Sequence, residues 1–589
     1  MEIILVLLIL VIAIILFATE WLRMDLVALM VLLALAITGL VSPQEAFSGF
    51  SNPAVITVAA MFVLSTGISH TGAMGRIGER MVAFAGNSEA RLLLASMLVA
   101  AVFSAFINNI GATAVLMPVL VSVAHRMRIN PSQLLMPLAF ASLLGGVSTL
   151  IGTPPNILMN SLLQEYTGES FSMFSYTPVG LVIVVVGIGY ILLIGRHLIP
   201  TRKSGVLTEA YQVKEYITEV AVRDSSPLVG KTIAKCSFEQ EFGLKVRAIL
   251  RDRHKIPKPR RNRVIRENDI LFLEGDPEGI LKIRELKGLE VLPEKDNPID
   301  NVTDESLVVI EASLTPTSTM AGKTLRSIRF RDVFGINVLA IWRQGAPVVK
   351  KVDHVVLKFG DVLLLQGSEE KIIQLGRDRG FLLLGGIPAV DYRPRQAPIA
   401  IAILALVIAI SSLGIIPIFL AAPLGAVAMV LSRCLSLKEA YDNIDWPILV
   451  LIAGTLPLGL ALENSGAALM IAEQLTSSAG EYGPWVVLGI VVLITALLTE
   501  FMSHSAAAVL IAPIAYEVAL SLSVSPKPFF MAVALSASTC FMTPISHQSN
   551  ALVMGPGGYH FFDYTRVGAP LGVLVWAVII LLVPIAFPF

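Results

Sequence analysis

Four stretches of this sequence place polar or helix-breaking residues in the middle of long apolar runs. Asn108-Asn109 interrupts 90–125, Gly152-Thr153-Pro154-Pro155 interrupts 132–163, Ser503-His504 interrupts 484–523, and Thr543 to Ser549 interrupt 527–556. A helix broken in mid-membrane bares carbonyls and amides. Carbonyls with Asn and Ser oxygens suit a hard cation such as Na⁺, and helix N-termini suit an anion. Ser104, Asn108 and Asn109 with Gly152 and Thr153 make one candidate cation cage. Thr499, Ser503, His504 and Ser505 with Ser546 and His547 make its counterpart. Substrate contacts are expected from Asn108, Asn109, Thr153, Pro154, Ser503, His504, Ser505 and His547. Pro154-Pro155 and Pro544 deny the backbone its helical donors and keep those segments unwound. Glu500 is an ionisable group beside the second tip: it serves transport, pairs with His504, or caps the hairpin. His504 and His547 are core histidines, substrate ligands or proton carriers.

The elements that must hold these residues are membrane helices. Of 589 residues, 55% are hydrophobic and only 15% charged, and 60 of the 88 charged residues fall within 201–395. An ordinary globular chain carries about 25% charged residues. This pattern predicts a membrane protein with a water-soluble insert: repeat 1 over 1–199, the insert over 200–396, repeat 2 over 397–589. Apolar runs of spanning length lie near 3–19, 25–41, 54–69, 178–199, 398–413, 415–432, 447–462 and 566–588. The first reads as a retained helix, since it has no basic start and no small-residue cleavage site. Broken segments survive only inside protein or beside a water-filled cavity. If 90–125 and 484–523 are re-entrant hairpins, then Arg23, Arg76, Arg80, Arg91, Arg126, Arg128, Arg196, Arg433, Lys438 and Arg566 share one face, against Lys527 alone on the other. That face is the cytoplasmic one, so the insert is expected in the cytoplasm and both termini outside. Net charge is zero, which gives no general pull toward nucleic acid, and Cys236, Cys434 and Cys540 form no metal or disulfide pattern.

A shift of about 394 residues superimposes the two membrane parts. Helix 4–19 falls on 398–413, Thr71-Gly72-Ala73 on Ser465-Gly466-Ala467, and Asn156-Ile157-Leu158-Met159 on Asn550-Ala551-Leu552-Val553. The first tip falls on the second with a one-residue slip. The charge pattern makes the halves opposite in orientation. Inverted repeats with broken helices at matching positions point to a secondary transporter with its site between them near the midplane.

The run Asn108-Asn109-Ile110-Gly111-Ala112-Thr113-Ala114-Val115-Leu116-Met117-Pro118, followed by Ile151-Gly152-Thr153-Pro154-Pro155-Asn156, resembles the divalent anion:sodium symporter family. The later run Thr543-Pro544-Ile545, with Gln548, Asn550 and Gly555-Pro556-Gly557-Gly558-Tyr559, resembles its branch with cytoplasmic inserts. The resemblance implies a homodimeric elevator carrying sulfate, or di- and tricarboxylates, with several Na⁺. It also implies Ser-Asn-Thr at each tip and Thr-Pro at each break. This chain departs from that pattern: the tips read Asn108-Asn109-Ile110 and Ser503-His504-Ser505, and His547 stands where a threonine is expected. The first Na⁺ site is intact by this reading, and the second is altered.

The insert repeats itself at 92 residues. Gly230-Lys231-Thr232 matches Gly322-Lys323-Thr324, Arg251 matches Arg343, and Asp269-Ile270-Leu271 matches Asp361-Val362-Leu363. Short strands are expected, with helix near 278–287 and 369–377 and tight turns at Asn268-Asp269 and Gly360-Asp361. The pattern is similar to paired TrkA-C (RCK-C) regulatory domains, over 213–290 and 303–382, which bind small ligands, nucleotides among them. Gly-Lys-Thr is not a phosphate loop, because Ser225 and Thr317 stand where its first glycine belongs. The basic run from Lys255 to Arg266 reads as a solvated hairpin tip or a lipid-headgroup contact, ahead of an anionic-ligand site.

The expectation is therefore a polytopic α-helical membrane protein with an inserted α/β region. It is an inner-membrane Na⁺ symporter of a small oxyanion. The rival readings are a proton-coupled carrier or exchanger using Glu500, His504 and His547, and a ligand-gated channel. An enzyme is the least favoured reading, since the membrane part has no metal-ligand cluster or nucleophile motif and the insert no recognisable catalytic set.

Overall fold

The computed structural model describes residues 2–19, 21–72, 88–127, 129–201, most of 216–275, 289–291, most of 307–384, and 393–589. Arg76, Arg80, Arg128 and the stretch 278–287 lie outside these described residues. The uninterrupted apolar runs are helices: Glu2–Thr19, Met24–Ile37, Pro53–His70, Thr177–Leu198, Ala397–Ser412, Ile418–Leu431, Trp446–Asn464 and Phe561–Ala586. Their ends are set by local chemistry. Asn52 accepts from the Ala54 amide with Pro53 in the first turn, and Asp445 accepts from Ile448 with Pro447 in the first turn. Reciprocal capping boxes, Ser42 with Glu45 and Ser436 with Glu439, start two short helices 394 residues apart.

Each interrupted run becomes two helices. Glu89–Ser104 and Asn109–Met127 flank the first tip, and Pro484–Thr499 and His504–Ser521 flank the second. Ser132–Gly146 and Pro154–Thr167 flank the first break, and Lys527–Ser538 and Gln548–Gly557 the second. The non-helical segments 147–153 and 539–547 begin earlier than the prolines alone suggest. Gly145 and Gly146 close the helix before the first, and the packing there requires them: a side chain at Gly145 would strike the Ala101 backbone, and one at Gly146 would strike Asn109.

Packing between the two membrane parts is reciprocal. Met24–Ile37 packs on Trp446–Asn464, and Ile418–Leu431 packs on Pro53–His70. In the same way, Lys527–Ser538 lies on Pro154–Thr167 and Gln548–Gly557 on Ser132–Gly146. Buried tyrosines tie the parts together: Tyr559 receives the Met136 amide at 2.9 Å and donates to the Ser132 carbonyl, and Tyr190 donates to the Val567 carbonyl at 2.9 Å.

The insert forms two five-stranded antiparallel sheets. The first comprises β1 (Tyr216–Val222), β2 (Lys245–Arg251), β3 (His254–Pro257), β4 (Ile270–Gly275) and β5 (Leu289–Val291), in the order β3-β2-β4-β1-β5. The second comprises β6 (Leu307–Leu314), β7 (Asn337–Arg343), β8 (Ala346–Pro347), β9 (Val362–Ser368) and β10 (Phe381–Leu383), with the equivalent order β8-β7-β9-β6-β10. Both carry the same bulge, at 246/248 and 338/340. Both also carry the same buried lock. Arg251 Nε and Nη2 donate to Asp269 at 2.7 and 2.6 Å, and Arg343 Nε and Nη2 donate to Asp361 at 2.6 and 2.7 Å. The expected turns are left-handed, with φ of 63° at Asn268 and 76° at Gly360. Glu369–Gly376 supplies the expected helix. The start of the basic run is placed differently from the expectation: Lys255 to Pro257 belong to the edge strand β3, because they continue the β2 ladder instead of capping it.

The second sheet is apolar on both faces. Ile341, Leu363 and Leu365 pack into its own core, whereas Ala340, Val362, Leu364 and Leu384 belong to the same core as the membrane helices. The turn at Gly360 lies against Gly555 in the helix Gln548–Gly557, where a side chain would meet the Gly360 carbonyl.

Candidate functional site

The first tip and first break converge. Asn109 is 2% exposed, and its Oδ1 accepts from Ser104 Oγ at 2.5 Å. That oxygen lies where a side chain at Gly146 would have to go, so glycine there is needed for the close approach. Asn108 is half-buried and turns its Oδ1 back onto the Ile110 amide at 3.1 Å, fixing the loop. Thr113 bonds both the Asn109 carbonyl, at 2.9 Å, and Ser142 Oγ, at 3.0 Å. Asn108, Gly152 and Pro154 line one small, half-open cleft, with Val58, Met61 and Phe62 on its other wall. Three of the expected residues thus share a cavity, and Ser104 with Asn109 adjoins it through the loop. Thr153 bonds Ser538 Oγ at 3.0 Å, which joins the first break to the second membrane part.

The second tip and break also meet, through different groups. The rings of His504 and His547 stack with centroids 5.1 Å apart. His547 Nδ1 accepts from the Ser549 amide at 3.0 Å, so in the neutral ring Nε2 carries the proton. Thr499 donates to the Ala537 carbonyl at 2.9 Å, in the last turn of the helix before the break, and Ser546 to the Thr543 carbonyl at 2.8 Å within it. Ser505 is buried and its Oγ has no hydrogen-bond partner, while Ser503 is half-buried at the helix start. Glu500 does something the sequence did not reveal. Its carboxylate accepts from the amides of Phe541, Met542 and Thr543, all at 3.0 Å, in place of a bond to His504.

Three further hydrogen bonds recur in both parts. Thr149 donates to the Ala105 carbonyl as Thr543 does to Glu500. Asn156 Nδ2 donates to Thr149 O as Asn550 Nδ2 does to Thr543 O, at 2.8 and 3.3 Å. Tyr176 donates to Asn156 O as Tyr564 does to Asn550 O, at 3.1 and 2.7 Å. Both asparagines keep a buried Oδ1 without a hydrogen-bond partner. Sequence reasoning passed over these tyrosines, whose only signal was a phenol in an apolar run. Among the described residues no cluster of His, Cys, Asp and Glu suits a transition metal.

Helices long and apolar enough to cross a bilayer, broken in mid-run around buried oxygens, define a multi-pass membrane transporter. The model of the citrate transporter family matches residues 14–526, and the chain belongs to that family. It is 38% identical to an uncharacterized transporter of Synechocystis sp., over 96% of this chain and 94% of that one. It is 36% identical to the uncharacterized transporter YfbS of Escherichia coli, over the whole of both chains. It is 23% identical to sodium/sulfate cotransporter 2 of Chlamydomonas reinhardtii, over 96% of this chain and 87% of that one. A slight likeness to the solved RCK domain of GsuK covers 28% of this chain and 63% of that one, with 16% identity and a TM-score of 0.13. The protein is a transporter and not an enzyme.

Proposed function

We propose that this transporter couples inward Na⁺ flow to uptake of a small divalent oxyanion, sulfate first and di- or tricarboxylates second. The observation that carries this reading is the convergence of Ser104, Asn108, Asn109, Gly152 and Pro154 around one tip and one break. Their oxygens suit a hard cation. Next to it, Pro154–Thr167 begins a helix whose positive dipole end suits an anion, without amides from Pro154 or Pro155. The bound cation offsets part of the substrate charge and fixes the tip that the anion meets. The sodium/sulfate cotransporter names among the relatives point the same way.

In this reading the halves are inverted repeats working as an elevator in a homodimer. Support comes from the reciprocal helix packing, the paired capping boxes and the three duplicated hydrogen bonds. His504 and His547 stand where oxygen ligands are expected, so the oxygen-lined cation site belongs to the first half. The protein lies in the cell (inner) membrane with its insert in the cytoplasm, where the paired sheets take a small regulatory ligand, a nucleotide by class. Radiolabelled sulfate uptake into proteoliposomes tests the coupling. Uptake should rise with external Na⁺ and fall to background in choline, and equal uptake in choline would refute it.

A further inference from the structure

The two halves fasten break to tip unequally. Where the first half has Ala105, offering only its carbonyl to Thr149, the second has Glu500. Glu500 is 3% exposed and gathers three successive amides of the break. We propose that Glu500 is a positioning residue that holds the second break pre-assembled, so that the coupling ion orders only the first half.

A backbone that leaves helical geometry in mid-membrane frees N–H groups that must find acceptors. Successive N–H groups form an anion-binding nest, and an ionised carboxylate makes shorter, stronger bonds to them than a neutral acceptor does. Here the chain supplies its own anion, which closes Phe541, Met542 and Thr543 to any substrate. Fixing those residues also fixes Thr543, whose hydroxyl receives the Ser546 amide at 3.1 Å, and with it the approach of His547 to His504. The first half has no side-chain carboxylate at this place. Its tip and break meet over the open cleft lined by Asn108, Gly152 and Pro154, which leaves room for an ion to draw them together. The identity of that ion rests on the function proposed above; the role of Glu500 does not.

Hydrogen exchange read by mass spectrometry, on the full chain in lipid nanodiscs with and without Na⁺, tests the proposal. In the wild type, amides 541–543 should be protected under both conditions, and 147–153 should gain protection on adding Na⁺. Glu500→Gln keeps one acceptor oxygen but turns an N–H toward the Thr543 amide. Exchange at 541–543 should then quicken about tenfold, the effect of losing one charge-assisted bond. The Na⁺ concentration for half-maximal sulfate uptake should rise more than the sulfate KM does. Should Glu500→Gln fail to fold, Glu500→Asp, one methylene short of the nest, is expected to show the same direction. Unchanged exchange at 541–543 in either folded variant would overturn the proposal, as would wild-type protection there that appears only with Na⁺. Wild-type uptake indifferent to Na⁺ would overturn the coupling reading and the ordering of the first half by that ion. The exchange at 541–543 would still decide the role of Glu500.

Discussion

The Ser104–Asn109 contact yields the sharpest prediction for the first site. Asn109→Ala removes a buried oxygen from the proposed cation site and leaves the Ser104 hydroxyl without its 2.5 Å acceptor. Leaving a buried polar group unsatisfied costs about 1–3 kcal/mol. At about 1.4 kcal/mol per factor of ten, the apparent Na⁺ affinity should fall about fivefold to a hundredfold. Uptake at ordinary external Na⁺ is then lost. Ser104→Ala removes the donor but leaves the asparagine oxygen in place, so its shift should stay within about fivefold. Because the two side chains act on one another, the double variant should resemble Asn109→Ala alone, with effects that do not add. The assay is sulfate uptake into proteoliposomes across a Na⁺ series, paired with thermal unfolding, since an ion bound only by the folded state raises stability with the logarithm of its concentration over its Kd. Strictly additive shifts, or a reduced maximal rate with unchanged Na⁺ dependence, would refute the reasoning.

Tyr564→Phe and Tyr176→Phe each delete one buried bond to an asparagine carbonyl and should each lower stability by about 1 kcal/mol, measured by thermal unfolding. Markedly unequal losses would speak against equivalent roles. Asp361→Asn leaves Arg343 beside a neutral partner in a place where the carboxylate is fully buried. Breaking such a pair costs about 3–5 kcal/mol, and the second sheet should become sensitive to limited proteolysis. Burial pushes the Cys236 thiol above its ordinary range, opposed by the nearby Lys231 charge. A raised thiol keeps less thiolate at mildly alkaline pH, so alkylation of native Cys236 by iodoacetamide at pH about 8 should run slower than in the unfolded chain and recover as pH rises. Equal rates at that pH would show the thiol unperturbed.

Much of this architecture was legible because lipid forbids most alternatives. An Asn-Asn or a Pro-Pro inside an apolar run has few tenable explanations there, and all four interruptions are helix ends. The Arg–Asp pairs of the insert left only a partial trace: both residues recur at the 92-residue repeat, but nothing in their spacing named them as partners. Glu500 was visible as a candidate but not in its role, since its three partners are backbone amides some forty residues onward. Amides carry no letter in a sequence. His504 and His547 were each singled out, yet nothing in their spacing announced that their rings stack. The docking face of the second sheet did leave a trace. Val362-Leu363-Leu364-Leu365 is apolar at every position, the mark of a strand covered on both sides.

The seating of Gly360 on Gly555 means that the insert is grafted into the membrane part and does not dangle from it. Excising residues 200–396 to make a minimal pump would strip the lining from Gln548–Gly557, the helix that issues from the second break, and expose a greasy scar to water. Transplanting the insert into another scaffold would for the same reason require moving that helix with it.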